Sequence, residues 1–271
     1  MISATFLHEA EYRRIGHWLQ QRCGMVFPDK KRELLINRMQ SVCDRYKIPD
    51  LKTLADRLVT GMDDELLYAV IHAASTNHTY FFREPQVLDY FKENILPNLP
   101  AEGVRIWSAA AASGDEAYTL AIIAAEKRGL PWAKHHLSIL GTDISSVVIV
   151  EAEKAVYGSL HLDKMPKEML PNYFDAVAGD LYQVKPQIRK MCLFRRLNLI
   201  NQPYPFQRKF HVVFCRNVLY YFDKSQQKRI VEAIYDVTEP GGWLLTSVTV
   251  SLRSLESSWQ LVDNGIYRKP F

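Results

Sequence analysis

The stretch VRIWSAAAASGDEAY, residues 104–118, decides the fold class of this chain. It begins with a short apolar run at residues 104–107, continues through a loop of very small residues, and reaches Glu116 at the start of a predicted helix. A buried strand followed by such a loop and a helix is typical of the first unit of a parallel βαβ sheet. The stretch therefore predicts an α/β domain, with a ligand close to the backbone N–H groups of the loop.

Short apolar runs alternate with amphipathic helices from residue 103 to the end of the chain, so residues 103–271 predict one α/β domain. The turn Pro240-Gly241-Gly242 predicts an edge strand after it, over residues 243–250. The other predicted elements are strands at 104–107, 137–140 and 209–215 and helices at 117–127 and 224–238.

The part of the chain before this domain predicts a separate module made only of helices. Apolar residues recur at helical spacing around Ile15 and Leu19, and again around Leu35 and Met39. Asp50 follows Pro49 and is a good N-cap for the next helix. We expect this helical domain to occupy residues 1–75.

Composition and charge exclude several classes of function. The chain has 271 residues, 48% of them hydrophobic, but no basic leader and no run of about 20 apolar residues, so we expect a cytoplasmic protein that does not insert into membranes. A net charge of +4 is too small to indicate nucleic-acid binding. The cysteines form no CxxC pair and predict neither a metal site nor disulfides; they are Cys23, Cys43, Cys192 and Cys215.

The loop after the first strand argues against a dinucleotide. Gly114 is its one glycine, so the GxGxxG pyrophosphate cradle is missing. Asp143 follows the second predicted strand, where a carboxylate can accept hydrogen bonds from ribose hydroxyls. Acidic groups without a phosphate-binding lysine favour S-adenosylmethionine, which carries ribose and positive charge, over NAD. The loop alone also leaves open an alanine-rich connection that binds nothing.

Residues 76–84, TNHTYFFRE, resemble the segment by which CheR methyltransferases join a helical N-terminal domain to their cofactor domain. Later motifs of that family follow in the same order, and the resemblance covers nearly the whole chain. They lie at residues 107–118, 141–143, 197–199 and 214–223.

This resemblance implies a Rossmann-like, S-adenosylmethionine-dependent methyltransferase domain of α/β class with a small all-helical N-terminal domain. It also implies a linker with a cofactor-binding motif at residues 76–102 and a small β-subdomain insertion at residues 173–192. A departure from the family is Asp115-Glu116-Ala117-Tyr118, where the family commonly has Glu-Glu-Pro-Tyr. The acidic group is kept.

The family esterifies glutamate side chains of methyl-accepting chemotaxis receptors, using S-adenosylmethionine and releasing S-adenosylhomocysteine. Arg83 and Tyr221 match the residues that the family places beside the reacting groups. The residues that match its cofactor contacts are Asn77, Thr79, Arg83, Glu116, Asp143, Asn198, Leu199, Arg216 and Asn217.

The resemblance also implies a partner, the cytoplasmic helical domain of the receptors, gripped by arginines of the second helix. Family members often carry several closely spaced arginines there, whereas this chain has Arg38 and Arg45, with Arg32 upstream. Lys30, Lys31 and Arg32 could take that role instead, and a solvated helix face is the alternative reading of this run of charges. The loop at residues 175–180 is short, so we expect recognition of receptors without binding of their C-terminal pentapeptide. We also expect the protein to be a monomer.

Three other functions fit the sequence less well. A catalytically degenerate module that senses cofactor or docks a receptor would not need the whole predicted set. A nucleic-acid amino-methyltransferase favours Asn-Pro-Pro-Tyr where this chain has Arg216-Asn217-Val218-Leu219. An NAD oxidoreductase would need the missing glycines.

Overall fold

The computed structural model describes residues 9–61, 63–75, 78–248 and 251–271. The chain divides into two units, each described by itself. The first comprises residues 1–76 and 220–226, and the second comprises residues 77–219 and 227–271. The segment 220–226 is therefore grouped with the helical unit although it lies far along the α/β part of the sequence.

Within its described residues the first unit contains the helices α1 (Glu9–Cys23), α2 (Arg32–Tyr46), α3 (Leu51–Thr60) and α4 (Asp64–Ala74), and a 3-10 turn at Asp29–Lys31. Helix α1 packs against α3, and α2 packs against α4. Leu19, Met39, Leu54 and Val70 are completely buried, one from each helix. The apolar spacing of the sequence thus forms the core of a small helical module.

Aspartate side chains cap the amino ends of two of these helices. The Asp50 carboxylate accepts a hydrogen bond from the Thr53 amide at 2.7 Å, which confirms the predicted N-cap of α3. Asp63 accepts from the Leu66 amide at 3.1 Å and caps α4 in the same way. Helix α2 ends at Tyr46, and the next residue, Lys47, caps it with a φ of 53°, in the left-handed region.

The second unit is built on strands. They are β1 (Val104–Ser108), β2 (Leu137–Asp143), β3 (Val156–Gly158), β4 (Phe174–Ala176), β5 (Leu181–Val184), β6 (Cys192–Arg196), β7 (Phe210–Cys215), β8 (Thr238–Thr246), β9 (Gln260–Asp263) and β10 (Ile266–Arg268). In the described part of the chain the larger sheet has the order β6-β2-β1-β7-β8-β10-β9. The first five strands of this order, from β6 to β8, are parallel to one another. Strand β10 pairs antiparallel with both β8 and β9.

The order reverses at β1, which pairs with β2 on one side and β7 on the other. A crevice at the carboxyl ends of the strands at such a switch point is the usual ligand site of an open α/β sheet. The Rossmann-like architecture predicted from the sequence is confirmed.

The helices of this unit are α5 (Pro85–Tyr90), α6 (Asp115–Arg128), α7 (Leu130–His136), α8 (Ser146–Lys154), α9 (Ser159–Leu162), α10 (Leu170–Tyr173), α11 (Pro186–Arg189) and, from residue 227 onwards, α12 (Lys224–Asp236). Helix α5 continues through a π turn at Phe91–Ile95 and a 3-10 turn at Leu96–Asn98. Helix α6 buries Leu120, Ile122 and Ala124 completely and belongs to the main apolar core. It is therefore a central helix that can hold residues of its first turn firmly.

The prediction of an edge strand at residues 243–250 is wrong about the residue at which the strand begins and about its position in the sheet. Strand β8 begins at Thr238, runs through the Pro-Gly-Gly turn, and pairs with β7 and β10. The register shifts between Phe210 and Val212 of β7, which accommodates the extra residues of β8 as a bulge. The last two residues of the prediction, Thr249 and Val250, lie outside the described residues.

Among the described residues a smaller antiparallel sheet has the order β3-β5-β4. Two of its strands and α11 lie within residues 173–192, the predicted insertion, and β3 comes from residues before that range. The connection between β4 and β5 is short, at residues 177–180, and is closed by a hydrogen bond from the Val177 amide to the Leu181 carbonyl at 3.0 Å.

Candidate active site

Most of the predicted cofactor residues follow the carboxyl ends of four neighbouring parallel strands, β6, β2, β1 and β7. The sheet therefore brings them to one edge. Glu116 lies on the first turn of α6 after β1, Asp143 closes β2, Asn198 and Leu199 follow β6, and Arg216 and Asn217 follow β7.

The loop between β1 and α6 is fixed by its own backbone. The amide of Ala109 donates to the Phe214 carbonyl at 2.8 Å, and the amide of Ala111 donates to the Thr142 carbonyl at 2.9 Å. Gly114 has a φ of 91°, and a Cβ there would lie 2.9 Å from the Ala152 side chain. The prediction that these N–H groups are available to a ligand is therefore wrong for Ala109 and Ala111, because neighbouring strands already accept their hydrogen bonds. The small side chains serve close packing.

Asp143 is held in place by backbone donors. Its Oδ2 accepts from the Ala112 amide at 3.1 Å, and its Oδ1 accepts from the Ser145 amide at 3.0 Å. Asp143 thus links the loop after β1 to the end of β2.

Glu116 is held by side chains instead. Its Oε1 accepts from the Ser108 hydroxyl at 2.7 Å, and its Oε2 accepts from Arg216 Nη1 at 3.0 Å. The Arg216 side chain is only 3% exposed. A buried guanidinium is tolerated only where it is paired and hydrogen-bonded, so Arg216 depends on this carboxylate.

Glu84 completes this cluster, although no pattern in the sequence singles it out. Its Oε2 lies 3.4 Å from Arg216 Nη2, within ion-pair range, and its Oε1 accepts from Asn217 Nδ2 at 2.8 Å. Arg216 Nη2 also donates to the Arg83 carbonyl. Both partners of the Glu84 carboxylate lie 132 or 133 residues later in the chain, which is why no local sequence signal identifies it.

The donors and acceptors at this edge fit S-adenosylmethionine. Glu84 and Glu116 share one guanidinium, and Asp143 adds another carboxylate, so the edge favours a positively charged ligand. Glu84 Oε2 and Arg216 Nε are buried without a hydrogen-bond partner in the described part of the chain. An ammonium group can donate to the first and a carboxylate can accept from the second, and the amino-acid portion of this cofactor carries both.

The linker places Arg83 between two residues with positive φ, Phe82 at 59° and Glu84 at 54°. Arg83 Nη1 donates to the His78 carbonyl at 2.8 Å, and the side chain remains partly exposed. Thr79 lies in the same irregular segment and is half-buried. Asn77 lies outside the described residues.

The loop after β6 has a defined turn. Asn198 Oδ1 accepts from the Ile200 amide at 3.3 Å, an Asx-type turn. The Leu199 carbonyl accepts from the Tyr204 hydroxyl and from Gln202 Nε2, each at 2.9 Å. Both predicted residues therefore sit in an ordered turn at the edge of the sheet.

Tyr221 belongs by its contacts to the helical unit. Its carbonyl accepts from the Val26 amide at 2.8 Å, and Lys31 Nζ lies 5.6 Å from its ring centroid. The cation-π geometry holds the ring against the turn that precedes α2.

The three arginines predicted to bind a receptor have different surroundings. Arg32 pairs with Glu9 at 2.8 Å and is 21% exposed. Arg38 Nη1 donates to the Ala74 carbonyl at 2.8 Å, at the end of α4. Arg45 is exposed on the last turn of α2.

The cysteines are free thiols. Burial raises the pKa of Cys23 to about 12 and the pKa of Cys215 well above the usual value of a thiol. Neither is a nucleophile at neutral pH, and Cys215 is almost completely buried. None of the described helices is both long and apolar enough to cross a bilayer.

Comparison with known proteins gives a consistent result. Residues 77–265 match the family described as CheR methyltransferase, SAM binding domain, and residues 10–73 match CheR methyltransferase, all-alpha domain. Chemotaxis protein methyltransferase 1 of Pseudomonas aeruginosa is 34% identical, over 94% of each chain. Chemotaxis protein methyltransferase of Vibrio parahaemolyticus is 30% identical, over 96% of each chain, and that of Escherichia coli is 28% identical, over 98% of this chain and 93% of its own.

Proposed function

The chain belongs to the CheR methyltransferase family, and on that premise we propose that it methylates glutamate side chains of methyl-accepting chemotaxis receptors. That the chain is an S-adenosylmethionine-dependent methyltransferase follows from its family; the glutamate substrate is the proposal. The observation that supports it most is the cluster of Glu116, Asp143 and Arg216 at the switch point of the sheet, inside the matched cofactor domain.

S-adenosylmethionine, when bound, supplies an electrophilic methyl group on a positively charged sulfur. We propose that Asp143 accepts hydrogen bonds from its ribose hydroxyls, since a carboxylate after the second strand is suited to that role. Glu84, Glu116 and Arg216 would hold its amino-acid portion, with Asn217 keeping Glu84 in place. Asn77, Thr79, Asn198 and Leu199 are proposed to line the rest of the pocket.

The reaction needs orientation more than proton transfer. A glutamate side chain exposed to water has a pKa of about 4.3, so at neutral pH its carboxylate is already a nucleophile and needs no general base. Alignment of two bound reactants can lower a barrier by about 7–11 kcal/mol. We propose that the planar fork of Arg83 holds the carboxylate and that the Tyr221 hydroxyl donates a hydrogen bond to the reacting groups.

The receptor surface is proposed to lie on the helical unit. Arg32, Arg38 and Arg45 would face the acidic, glutamate-rich helices of a receptor's cytoplasmic domain, an arrangement that sets register and association rate. The three arginines are not equally strong candidates for receptor contact, because Arg32 and Arg38 already have partners within the unit. Arg45, which is exposed, is the strongest candidate for direct contact.

The glutamate substrate can be tested by the chemical stability of the methylated product. Purified protein is incubated with radiolabelled S-adenosylmethionine and the cytoplasmic fragment of a receptor. We expect label that is released by mild alkali, as a methyl ester is, and that disappears when the receptor's candidate glutamates are changed to alanine. Alkali-stable label, or label unaffected by those changes, would contradict glutamate as the substrate.

We also propose that recognition does not use a receptor's C-terminal pentapeptide. The support is the short connection between β4 and β5, at residues 177–180. Removing the last residues of the receptor is then expected to leave the methylation rate unchanged. Saturable binding of an isolated pentapeptide in calorimetry, with a matching loss of rate on truncation, would refute this.

A further inference from the structure

Asp115, the first residue of α6, is a completely buried carboxylate beside the predicted cofactor residue Glu116. Its Oδ2 accepts from the Ser113 hydroxyl at 2.7 Å, and its Oδ1 accepts from His161 Nδ1 at 2.6 Å. A carboxylate withdrawn from water is costly unless it is paired and hydrogen-bonded, and the amino end of a helix assists. His161, at 37% side-chain exposure, supplies the pairing group.

The linker is attached to the same pair through consecutive backbone amides. The Phe81 amide donates to the His161 carbonyl at 2.9 Å. The Phe82 amide donates to the Thr119 hydroxyl at 3.2 Å, and that hydroxyl donates to the Asp115 carbonyl at 2.7 Å. Because Phe82 has a φ of 59°, this stretch needs such anchors to keep its conformation.

The third segment joined here is the one that contains β3. The Tyr157 hydroxyl donates to the Ser113 carbonyl at 2.6 Å. Three stretches that are remote in sequence, namely the linker, the loop after β1 and the β3–α9 segment, are therefore hydrogen-bonded to the backbone of Ser113, Asp115 and His161, the residues that surround the buried carboxylate.

We propose that His161 and Asp115 form a positioning pair, dependent on the protonation of His161, that holds the linker and the loop after β1 in the geometry for cofactor binding. Neither side chain is proposed to touch the reacting atoms. The inference rests on the proposed function, because it deepens the account of the same site.

The charge around His161 sets the direction of the pH dependence. The titratable groups that face it are Asp115 on α6, Glu151 on α8 and Tyr157 on β3, whose ring centroid lies 5.5 Å away. The hydrogen bond from His161 to Asp115 raises the pKa of the imidazole, against the smaller opposing effect of partial burial. Burial raises the pKa of Tyr157 well above its ordinary value, so that residue stays neutral.

The raised pKa of His161 determines the direction of the pH dependence. Because the folded pKa of His161 is raised, the charged pair is fully present below the ordinary histidine pKa and is lost as the pH rises through the raised value. Neutral His161 can still donate from Nδ1, but the hydrogen bond is no longer assisted by charge on both partners. Cofactor affinity is therefore expected to fall as the pH rises.

The experiment is calorimetric titration with S-adenosylhomocysteine between about pH 6 and pH 9, where a histidine titrates. The proteins are the wild type, His161→Gln, His161→Ala and the control His135→Gln, which changes an exposed histidine on α7. The wild type and the control are expected to lose affinity by about threefold to fivefold as the pH rises, at the lower end of usual couplings between sites. His161→Gln is expected to lose affinity less steeply than the wild type, since only the amino group of the ligand then titrates in this range, and His161→Ala is expected to bind about tenfold more weakly at every pH.

Profiles of His161→Gln and the wild type that superimpose over the whole range would overturn the pairing role. Circular dichroism of each variant shows whether it folds, and if His161→Ala does not, the His161→Gln profile decides alone. Failure of the wild type to bind S-adenosylhomocysteine at any pH would instead refute the proposed cofactor contacts on which the inference rests. The two failures are thus distinguishable.

Discussion

Charged side chains at the strand ends of the α/β unit and those on α2 differ in how far they are withdrawn from water. Arg216 is 3% exposed and pairs with two carboxylates, that of Glu84 in the linker and that of Glu116 in the first turn of α6. Arg45, in contrast, is exposed at the end of its helix. Buried charges that share partners act as one unit, whereas exposed charges act singly and are screened by salt. Substitutions in the two regions should therefore differ in size and in their response to salt.

The largest effect is expected for Arg216→Met, which leaves Glu84 and Glu116 without their shared cation. Removing one partner of a buried ion cluster costs about 3–5 kcal/mol of unfolding free energy, and binding of S-adenosylhomocysteine should be lost with it. Urea unfolding and calorimetry measure the two quantities. The control Arg195→Met removes a guanidinium that is 61% exposed and 3.9 Å from Glu153, and it should leave both unchanged. Equal stability of the two variants would show that the cluster is not a unit.

Arg83→Ala tests the same edge without disturbing its core. We expect the rate of receptor methylation to fall by more than about a hundredfold, equivalent to about 2.7 kcal/mol of transition-state stabilisation. The melting temperature should hardly change, because the side chain is partly exposed and its hydrogen bond to the His78 carbonyl is local. Arg208→Ala, at an exposed loop position, is the matched control. Near-normal methylation by Arg83→Ala would remove it from the catalytic assignment.

A smaller effect is expected for Asp143. Asp143→Ala loses the acceptors for the Ala112 and Ser145 amides and for the cofactor. Because hydrogen bonds to charged groups contribute about 1.5–3 kcal/mol, affinity for S-adenosylhomocysteine should fall by about tenfold to a hundredfold. Asp143→Asn keeps one acceptor oxygen and should recover part of that loss. Wild-type affinity in the alanine variant would place the ribose contact elsewhere.

These predictions rest on residues that the sequence identified to different degrees. Local pattern places Asp143 after a strand and Glu116 at the start of a helix, and the family resemblance implies their roles in cofactor binding. Glu84 was missed because its partner Asn217 lies 133 residues away, and no local pattern reports such a contact. His161 was missed for the same reason, since its partner Asp115 lies 46 residues earlier.

Strand β8 shows the limit of local turn chemistry. Pro240-Gly241-Gly242 predicts a turn, but β10 and the residues after it supply partners for this stretch. The Gly241 amide donates to the Pro270 carbonyl at 3.2 Å, and the Lys269 amide donates to the Gly242 carbonyl at 2.8 Å. The sequence pattern does not predict the hairpin of β9 and β10, and without that hairpin β8 would be the edge strand. Pairing over a long sequence distance overrode the turn signal.

The smallest effect is expected on the helical unit, where Arg38→Glu and Arg45→Glu separate stability from receptor recognition. Arg45→Glu should lower kcat/KM for receptor by about threefold to tenfold at low salt, with the difference disappearing at high salt, because the charge is exposed and screened. Its unfolding free energy should stay within about 0.5 kcal/mol of the wild type. Arg38→Glu should in addition lose about 1 kcal/mol of stability, because Nη1 donates to the Ala74 carbonyl at the end of α4. Methylation kinetics at several salt concentrations, with urea unfolding of each variant, measure both effects. A salt-independent rate for Arg45→Glu equal to that of the wild type would leave these arginines as a solvated helix face and move the receptor surface off α2.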